Sequence, residues 1–221
     1  MPQRTEGRIP CWRRAKAAAL AEMYSSGVRP DSFDDVWRRI RSVAGLNGDE
    51  SRAIWDFIRA NDIRSIVEIG RRYGTGIFLM ACAAKNLERA MSFDIFNWVI
   101  DKPLSQWFSI NGIENQVLVC DSRKYVPDPG VVWDLVLVDG GHTADAVRSD
   151  VEMWRTRTRF LALHDFADSG RDNANNPKGI RYCKPKYVEM VDAMIEIKAK
   201  YGWEPVWPRG RSEIIFKMGN Q

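Results

Sequence analysis

The sequence is poor in the residues that build metal knuckles and disulfide frameworks. It has four cysteines, Cys11, Cys82, Cys120 and Cys183, far apart and without a Cys-x-x-C pair. That spacing points away from a zinc knuckle and from a disulfide scaffold. Cys82 and Cys120 lie in apolar patterns and read as buried thiols. No apolar run is long enough to span a bilayer. The basic stretch from Met1 to Lys16 lacks the apolar centre of a signal peptide. A cytoplasmic protein without a membrane partner is therefore expected. Only two histidines occur, His142 and His164, so any imidazole chemistry has two places to sit.

What is present is ordinary for a globular chain: 221 residues, 45% apolar and 28% charged. The net charge of +4 collects in Arg4, Arg8, Arg13, Arg14 and Lys16, then in Arg38, Arg39 and Arg41. A solvated helix face accounts for such charges more readily than a nucleic-acid surface. Three helices are expected in residues 1–60: Trp12 to Tyr24, a second capped by Asp31 or Ser32 with Phe33, Val36, Trp37, Ile40 and Val43 on one face, and Asp49 to Ala60.

From Ile63 the pattern alternates. Strands are expected at Ile63 to Ile69, Ala90 to Ile95, Gln116 to Cys120, Trp133 to Val138 and Arg159 to Leu163. Helices are expected between them, from Ile77 to Asn86, from Asn97 to Asn111 and along Ala144, Val147, Val151 and Trp154. A polar loop from Asp168 to Lys178 precedes a helix from Lys186 to Lys200. A hairpin, Trp203 to Trp207 and Glu213 to Met218, closes the chain. The fold class is α/β: a doubly wound, mostly parallel, Rossmann-like sheet of about seven strands with a C-terminal antiparallel hairpin and a helical N-terminal segment. Residues 1–60 form that segment and residues 61–221 the ligand-binding domain.

The chain turns on the stretch Glu68-Ile69-Gly70-Arg71-Arg72-Tyr73-Gly74-Thr75-Gly76. A strand runs into a glycine turn and then a helix, whose N-terminus offers unpaired N–H groups to a ligand. The glycine spacing is not the G-x-G-x-x-G of a dinucleotide fingerprint. Asp94 follows Gly70 by about two dozen residues, where a carboxylate can meet ribose hydroxyls. Open α/β sheets bind ligands at the carboxyl ends of their strands. Here those ends carry Glu68, Asp94, Asp121, Asp139 with His142, and His164 with Asp165. Both histidines thus fall beside acids at strand ends, although helix capping by His142 and packing of His164 under a loop would also account for them.

The E-x-G-x-x-x-G turn resembles the first motif of the class I S-adenosylmethionine-dependent methyltransferases. The segment Asp134 to His142, then Asp150, Trp154, Leu163-His164-Asp165 and Lys178-Gly179-Ile180, resembles one bacterial branch: small-molecule O-methyltransferases related to the macrolide and aminocoumarin sugar enzymes and to cephalosporin hydroxylase. The likeness covers about residues 63 to 182. It implies S-adenosylmethionine held by Glu68, Gly70, Tyr73, Gly74, Gly76 and Asp94, with Asp121 and Ser122 at the adenine and Asp139 nearby. It also implies methyl transfer to a hydroxyl of a small metabolite such as a sugar or natural product. His142, Asp139 and His164 are then the catalytic candidates. Family members often bind a divalent metal, typically magnesium; by position its ligands would be Asp139, Asp165 and His164. An imidazole there departs from the all-oxygen shell that magnesium prefers, and His142 as a metal-free base is the other route.

Trp98, Trp107 and Trp207 are candidate pocket-lining residues. Residues 1–60 would form a lid or a homodimer contact in such enzymes, and plain packing on the sheet is equally open. The competing classes are a metal-dependent hydroxylase-like or non-catalytic relative of the same fold, and an NAD(P)-binding oxidoreductase. The glycine spacing and the lack of a Tyr-x-x-x-Lys pair in the right region speak against the last. No Asn/Asp-Pro-Pro-aromatic motif of amino-group methylation occurs, which leaves a small-molecule acceptor ahead of nucleic acid.

Overall fold

A computed structural model describes residues 11–164, 185–207 and 214–218. Seven strands form one sheet: β1 Ser65–Ile69, β2 Arg89–Asp94, β3 Glu114–Val119, β4 Trp133–Val138, β5 Thr158–Leu163, β6 Pro205–Trp207 and β7 Ile214–Lys217, in the order β3-β2-β1-β4-β5-β7-β6. The first five are parallel, and β7 runs antiparallel to both β5 and β6. Strand order reverses between β1 and β4, which opens a crevice at their carboxyl ends. The expected Rossmann-like sheet with its C-terminal hairpin is what forms.

The strands alternate their side chains between two cores. Ile66, Leu135, Leu137, Phe160 and Ala162 face α1 (Cys11–Ser25), α2 (Phe33–Ile40), α3 (Gly48–Ala60), α4 (Thr75–Ala83) and α5 (Asp101–Ile110). Val67, Ile69, Val136, Val138, Leu161 and Leu163 face α6 (Ala144–Trp154) and α7 (Pro185–Tyr201). Strands covered on both faces read as continuous apolar runs, and β1 and β4 do so. The N-terminal helices share the first core, and Phe57 of α3 meets the Phe160 ring of β5 edge-on at 5.0 Å. Among the described residues no helix is long and apolar enough to cross a membrane.

Several boundaries move for identifiable reasons. β1 starts at Ser65 and not at Ile63, because the Asp134 carboxylate accepts the Arg64 and Ser65 N–H groups at 2.8 and 3.0 Å, while Ile63 packs in the core. α5 starts at Asp101, well after Asn97, because Trp98 to Asp101 form a turn ahead of it: the Asp101 carboxylate accepts the Trp98 N–H (3.0 Å) and the Asp101 N–H donates to Trp98 O (2.9 Å). α4 ends at Ala83, before Asn86, where the Arg29 guanidinium donates to the Ala81 (2.8 Å) and Ala84 carbonyls. Ser32 caps α2 as expected. The expected loop 168–178 and the turn 208–211 lie outside the described residues.

Trp107 is fully buried and donates its indole N–H to Val28 O, so it is core and lines no pocket. The side chain of Trp207 lies outside the described residues. Cys82 is buried, and that burial pushes its thiol up to about 12. Cys120 is half-buried.

Candidate active site

The glycine turn is fixed by bonds to the neighbouring strand. Gly70 and Arg71 both donate to Phe93 O of β2, at 3.0 and 2.9 Å, and Gly74 N–H closes the turn on Arg71 O at 2.7 Å. Gly70 has φ +96, and a Cβ there would stand 2.0 Å from Asp139 O. Only glycine lets the ends of β1 and β4 come this close. Gly74 sits at the N-cap of α4. Gly76 clears space of another kind: a Cβ there would lie 2.0 Å from Glu68 Oε1. These glycines are thus required by packing within the protein as well as by any ligand.

Glu68 is buried. Burial pushes its carboxyl well above the usual carboxylate range, the nearby Asp139 adds to this, and the Ile77 N–H it accepts from α4 works the other way. Its Oε2 is buried without a hydrogen-bond partner, as are Tyr73 Oη and Trp98 Nε1. Tyr73 and Trp98 meet edge to face at 5.0 Å between centroids, and Tyr73 O accepts the Tyr24 hydroxyl (3.0 Å) from α1. Buried polar atoms ordinarily find partners. An orphaned acid and a tyrosine hydroxyl on the glycine turn, with an indole N–H packed against it, fit a wall that a polar cofactor completes.

Arg71, which sequence reading passed over, holds this turn. Its side chain is 0% exposed. Nε and Nη2 grip both oxygens of Asp101 at 3.0 and 2.8 Å, and Nη1 donates to Ser92 O (3.1 Å) and Leu118 O (3.0 Å). The turn is thereby tied to β2, β3 and α5.

Asp94 ends β2 half-buried. One oxygen accepts Arg72 N–H at 2.7 Å and the other Phe96 N–H at 2.8 Å, and Arg72 takes an uncommon positive φ of 48. A lone pair on each oxygen remains for ribose hydroxyls. Ile95, Phe96 and Val99 give the loop beyond it an exposed apolar rim.

At the end of β3, Asp121 is committed to Arg123 by a bidentate pair at 2.8 and 2.7 Å, which holds its carboxyl below the usual range. Ser122 is buried and donates to Asp150 Oδ1 of α6 at 2.7 Å. Asp150 is 1% exposed, and burial raises its carboxyl to about 6. The two residues expected at an adenine therefore have protein partners already, and Ser122 points into the fold.

Asp139 and His142 follow β4, and His164 follows β5. His164 is buried, with Nδ1 2.8 Å from Asp139 Oδ1 and Nε2 3.5 Å from Glu50 Oε2. His142 is half-buried, next to Thr143, whose hydroxyl caps α6 in its place. Glu50 was not among the sequence candidates. The signal that could have found it is the capping box Asn47-x-x-Glu50 ahead of an apolar run. Asp165 lies outside the described residues. Among the described residues no group of three or more His, Cys, Asp or Glu side chains is placed to hold a metal ion.

Crevice, glycine turn and strand-end acids together define a class I methyltransferase fold. Residues 67–166 match the family model described as a methyltransferase domain, a span from within β1 to just past His164 that takes in every candidate site position from Glu68 to Asp165. Residues 67–166 are thus similar to a methyltransferase domain, on a sheet whose fold is shared with solved methyltransferases. A search of the curated proteins found no match to the sequence. The chain is similar in fold to a putative caffeoyl-CoA O-methyltransferase from Staphylococcus aureus (13% identity, 93% of this chain and 100% of that one, TM-score 0.61). It is also similar to the O-methyltransferase TomG from Streptomyces achromogenes, involved in tomaymycin synthesis and solved with S-adenosylmethionine (14%, 96% and 100%, 0.56). A third is an O-methyltransferase from Bacillus cereus solved with S-adenosylhomocysteine (11%, 96% and 92%, 0.55).

Proposed function

We propose that this protein is an S-adenosylmethionine-dependent O-methyltransferase acting on a hydroxyl of a small metabolite such as a sugar or natural product. The observation that carries the reading is the placement of Glu68, Asp94, Asp139 and His164 at the carboxyl ends of β1, β2, β4 and β5, all within the matched methyltransferase domain. That its structural neighbours include O-methyltransferases supports the choice of acceptor atom.

S-adenosylmethionine, when bound, supplies an electrophilic methyl group on a sulfonium sulfur. Asp94 would take the ribose hydroxyls. Glu68, Tyr73 and the α4 N-terminus would take the amino-acid end. The protein's remaining task is to align the acceptor oxygen and remove its proton. His142, half-buried on the loop after β4, is the base we assign: a ring nitrogen of His142 would take the acceptor O–H proton as that oxygen is methylated. Asp139, with 18% of its side chain still exposed, is the member of the His164 pair open to an acceptor hydroxyl. Asp139 and His164, with Asp165, would be the residues to hold a divalent ion. His164, though, presents its two nitrogens to Asp139 and Glu50, which suits an orienting group better than a ligand, so proton removal is assigned to His142.

Incubation with methyl-labelled S-adenosylmethionine and a panel of sugars and phenols tests this. Label should move to an oxygen, and His142→Ala should lower the rate about 100-fold or more while cofactor binding persists. Transfer that needs added Mg2+ or Mn2+ and survives His142→Ala would move the chemistry to a metal. Failure to bind S-adenosylmethionine would overturn the reading.

A further inference from the structure

We propose that Glu50 is a positioning residue of the methyl-transfer site, holding the His164 ring against Asp139 from the N-terminal helical segment. This rests on the reading of Asp139 and His164 as parts of that site.

Glu50 is the third residue of α3 and completes its capping box. Asn47 N–H donates to Glu50 Oε2 at 2.8 Å, and the Asn47 side chain accepts from Glu50 N–H at 3.0 Å. A cap needs no more than a solvent-facing acid. Glu50 is instead 4% exposed, and burying a carboxylate is costly unless charged or hydrogen-bonding groups face it. The same Oε2 that the Asn47 N–H pins lies 3.5 Å from His164 Nε2. On the other side of the ring Nδ1 is 2.8 Å from Asp139 Oδ1. The imidazole thus lies between carboxylates from α3 and from the end of β4, both within ion-pair distance.

Both jaws are anchored to the sheet, the Asp139 N–H donating to Ile69 O at 2.8 Å. Phe57, two turns along α3, packs edge-on against Phe160 of β5, the strand that His164 follows. The connection between α2 and α3 also lies over Asp139: a Cβ on Gly45 would stand 3.9 Å from Asp139 Oδ2. The N-terminal segment therefore supplies one wall of the corner where the acceptor hydroxyl is to sit, and Glu50 is the polar group of that wall which reaches the imidazole.

The test uses the full chain labelled with 15N-histidine. Two histidines give two sets of ring signals, and His142→Gln assigns them. Glu50→Gln keeps an oxygen to accept the Asn47 N–H but removes the negative charge facing His164. The His164 ring-nitrogen signals should shift while those of His142 stay. Glu50→Asp, one methylene shorter, should shift them in the same direction. Asn47→Ala removes the side-chain half of the cap and leaves the backbone N–H that pins Glu50; it should lower the urea midpoint without moving the His164 signals. His164 signals in Glu50→Gln that superimpose on the wild type would overturn the proposal and leave Glu50 as a cap alone. Signals that move equally in Asn47→Ala would do the same. Titration of the variants with S-adenosylmethionine separates this from the function itself: a wild type that does not bind the cofactor sinks the methyltransferase reading and leaves the His164 shift standing as a result.

Discussion

Removing the Arg71 guanidinium should destabilise the protein more than any surface charge change. Arg71 is 0% exposed at its side chain and Asp101 11%. Arg71→Met leaves Asp101 buried with the Trp98 N–H and no counter-charge, and it strips a donor from Ser92 O and Leu118 O. Breaking a buried pair from one side costs about 3–5 kcal/mol, against a total stability of about 5–15 kcal/mol. With a urea m-value of about 3 kcal/mol/M, the midpoint should fall by about 1–1.7 M. Arg71→Lys should recover less than half of this, because an ammonium cannot grip both Asp101 oxygens as the fork does. Adding Asp101→Asn to Arg71→Met should recover about 1–2 kcal/mol, since the amide oxygen still accepts the Trp98 N–H and no buried charge is stranded. The assay is urea unfolding followed by tryptophan fluorescence at low and high salt. Salt should leave the Arg71 effect unchanged, because a buried pair is screened little. The exposed pair Arg64–Glu88 (51% and 63% exposed) is the contrast; Arg64→Ala should leave the midpoint almost unchanged. A loss under about 1 kcal/mol for Arg71→Met, or full recovery by lysine, would refute the reasoning.

Gly76→Ala should cost about 2–4 kcal/mol and weaken cofactor binding, because its Cβ would displace Glu68 from 2.0 Å; in a Glu68→Ala background the same change should cost under about half as much, a coupling that a double-mutant cycle of urea midpoints reads. Asp150 predicts a pH slope. Its carboxyl is raised to about 6 in the folded state, so the stability it contributes is fully present below the unfolded carboxylate value of about 3.9 and is lost as pH rises through about 6, on the order of 3 kcal/mol in all. The wild type minus Asp150→Asn difference in unfolding free energy, measured from pH 4 to pH 7.5, should fall across that window; a flat difference would contradict the burial argument. Tyr24→Phe removes the hydroxyl that donates to Tyr73 O and should cost about 0.5–1.5 kcal/mol by thermal unfolding.

Much of the fold could be read from the sequence because its strands are covered on both faces. Val136 and Leu137 announce themselves as an apolar run, and Val147, Val151 and Trp154 as a helical stripe. Strand ends follow from the runs, which is why Glu68, Asp94, Asp139 and His164 fall at the crevice. What stayed hidden depends on long-range partners. Arg71 looks like any charged residue in a turn until Asp101, Ser92 and Leu118 close around it. Glu50 reads as a helix cap until β5 brings His164 to it across more than half the chain. Asp121 looked free for a ligand, and Arg123 two residues on takes both its oxygens. Periodicity carries local burial; it does not carry who faces whom.

The most direct test of the account is calorimetric titration of the wild type and Asp94→Asn with S-adenosylmethionine, with NAD as the control. Binding of S-adenosylmethionine to the wild type, at least about tenfold weaker in Asp94→Asn (a loss of 1.4 kcal/mol or more), with no heat from NAD, is the result expected if the crevice between β1 and β4 is the methyl-donor site. Equal affinity in both proteins, or binding of NAD alone, would contradict it.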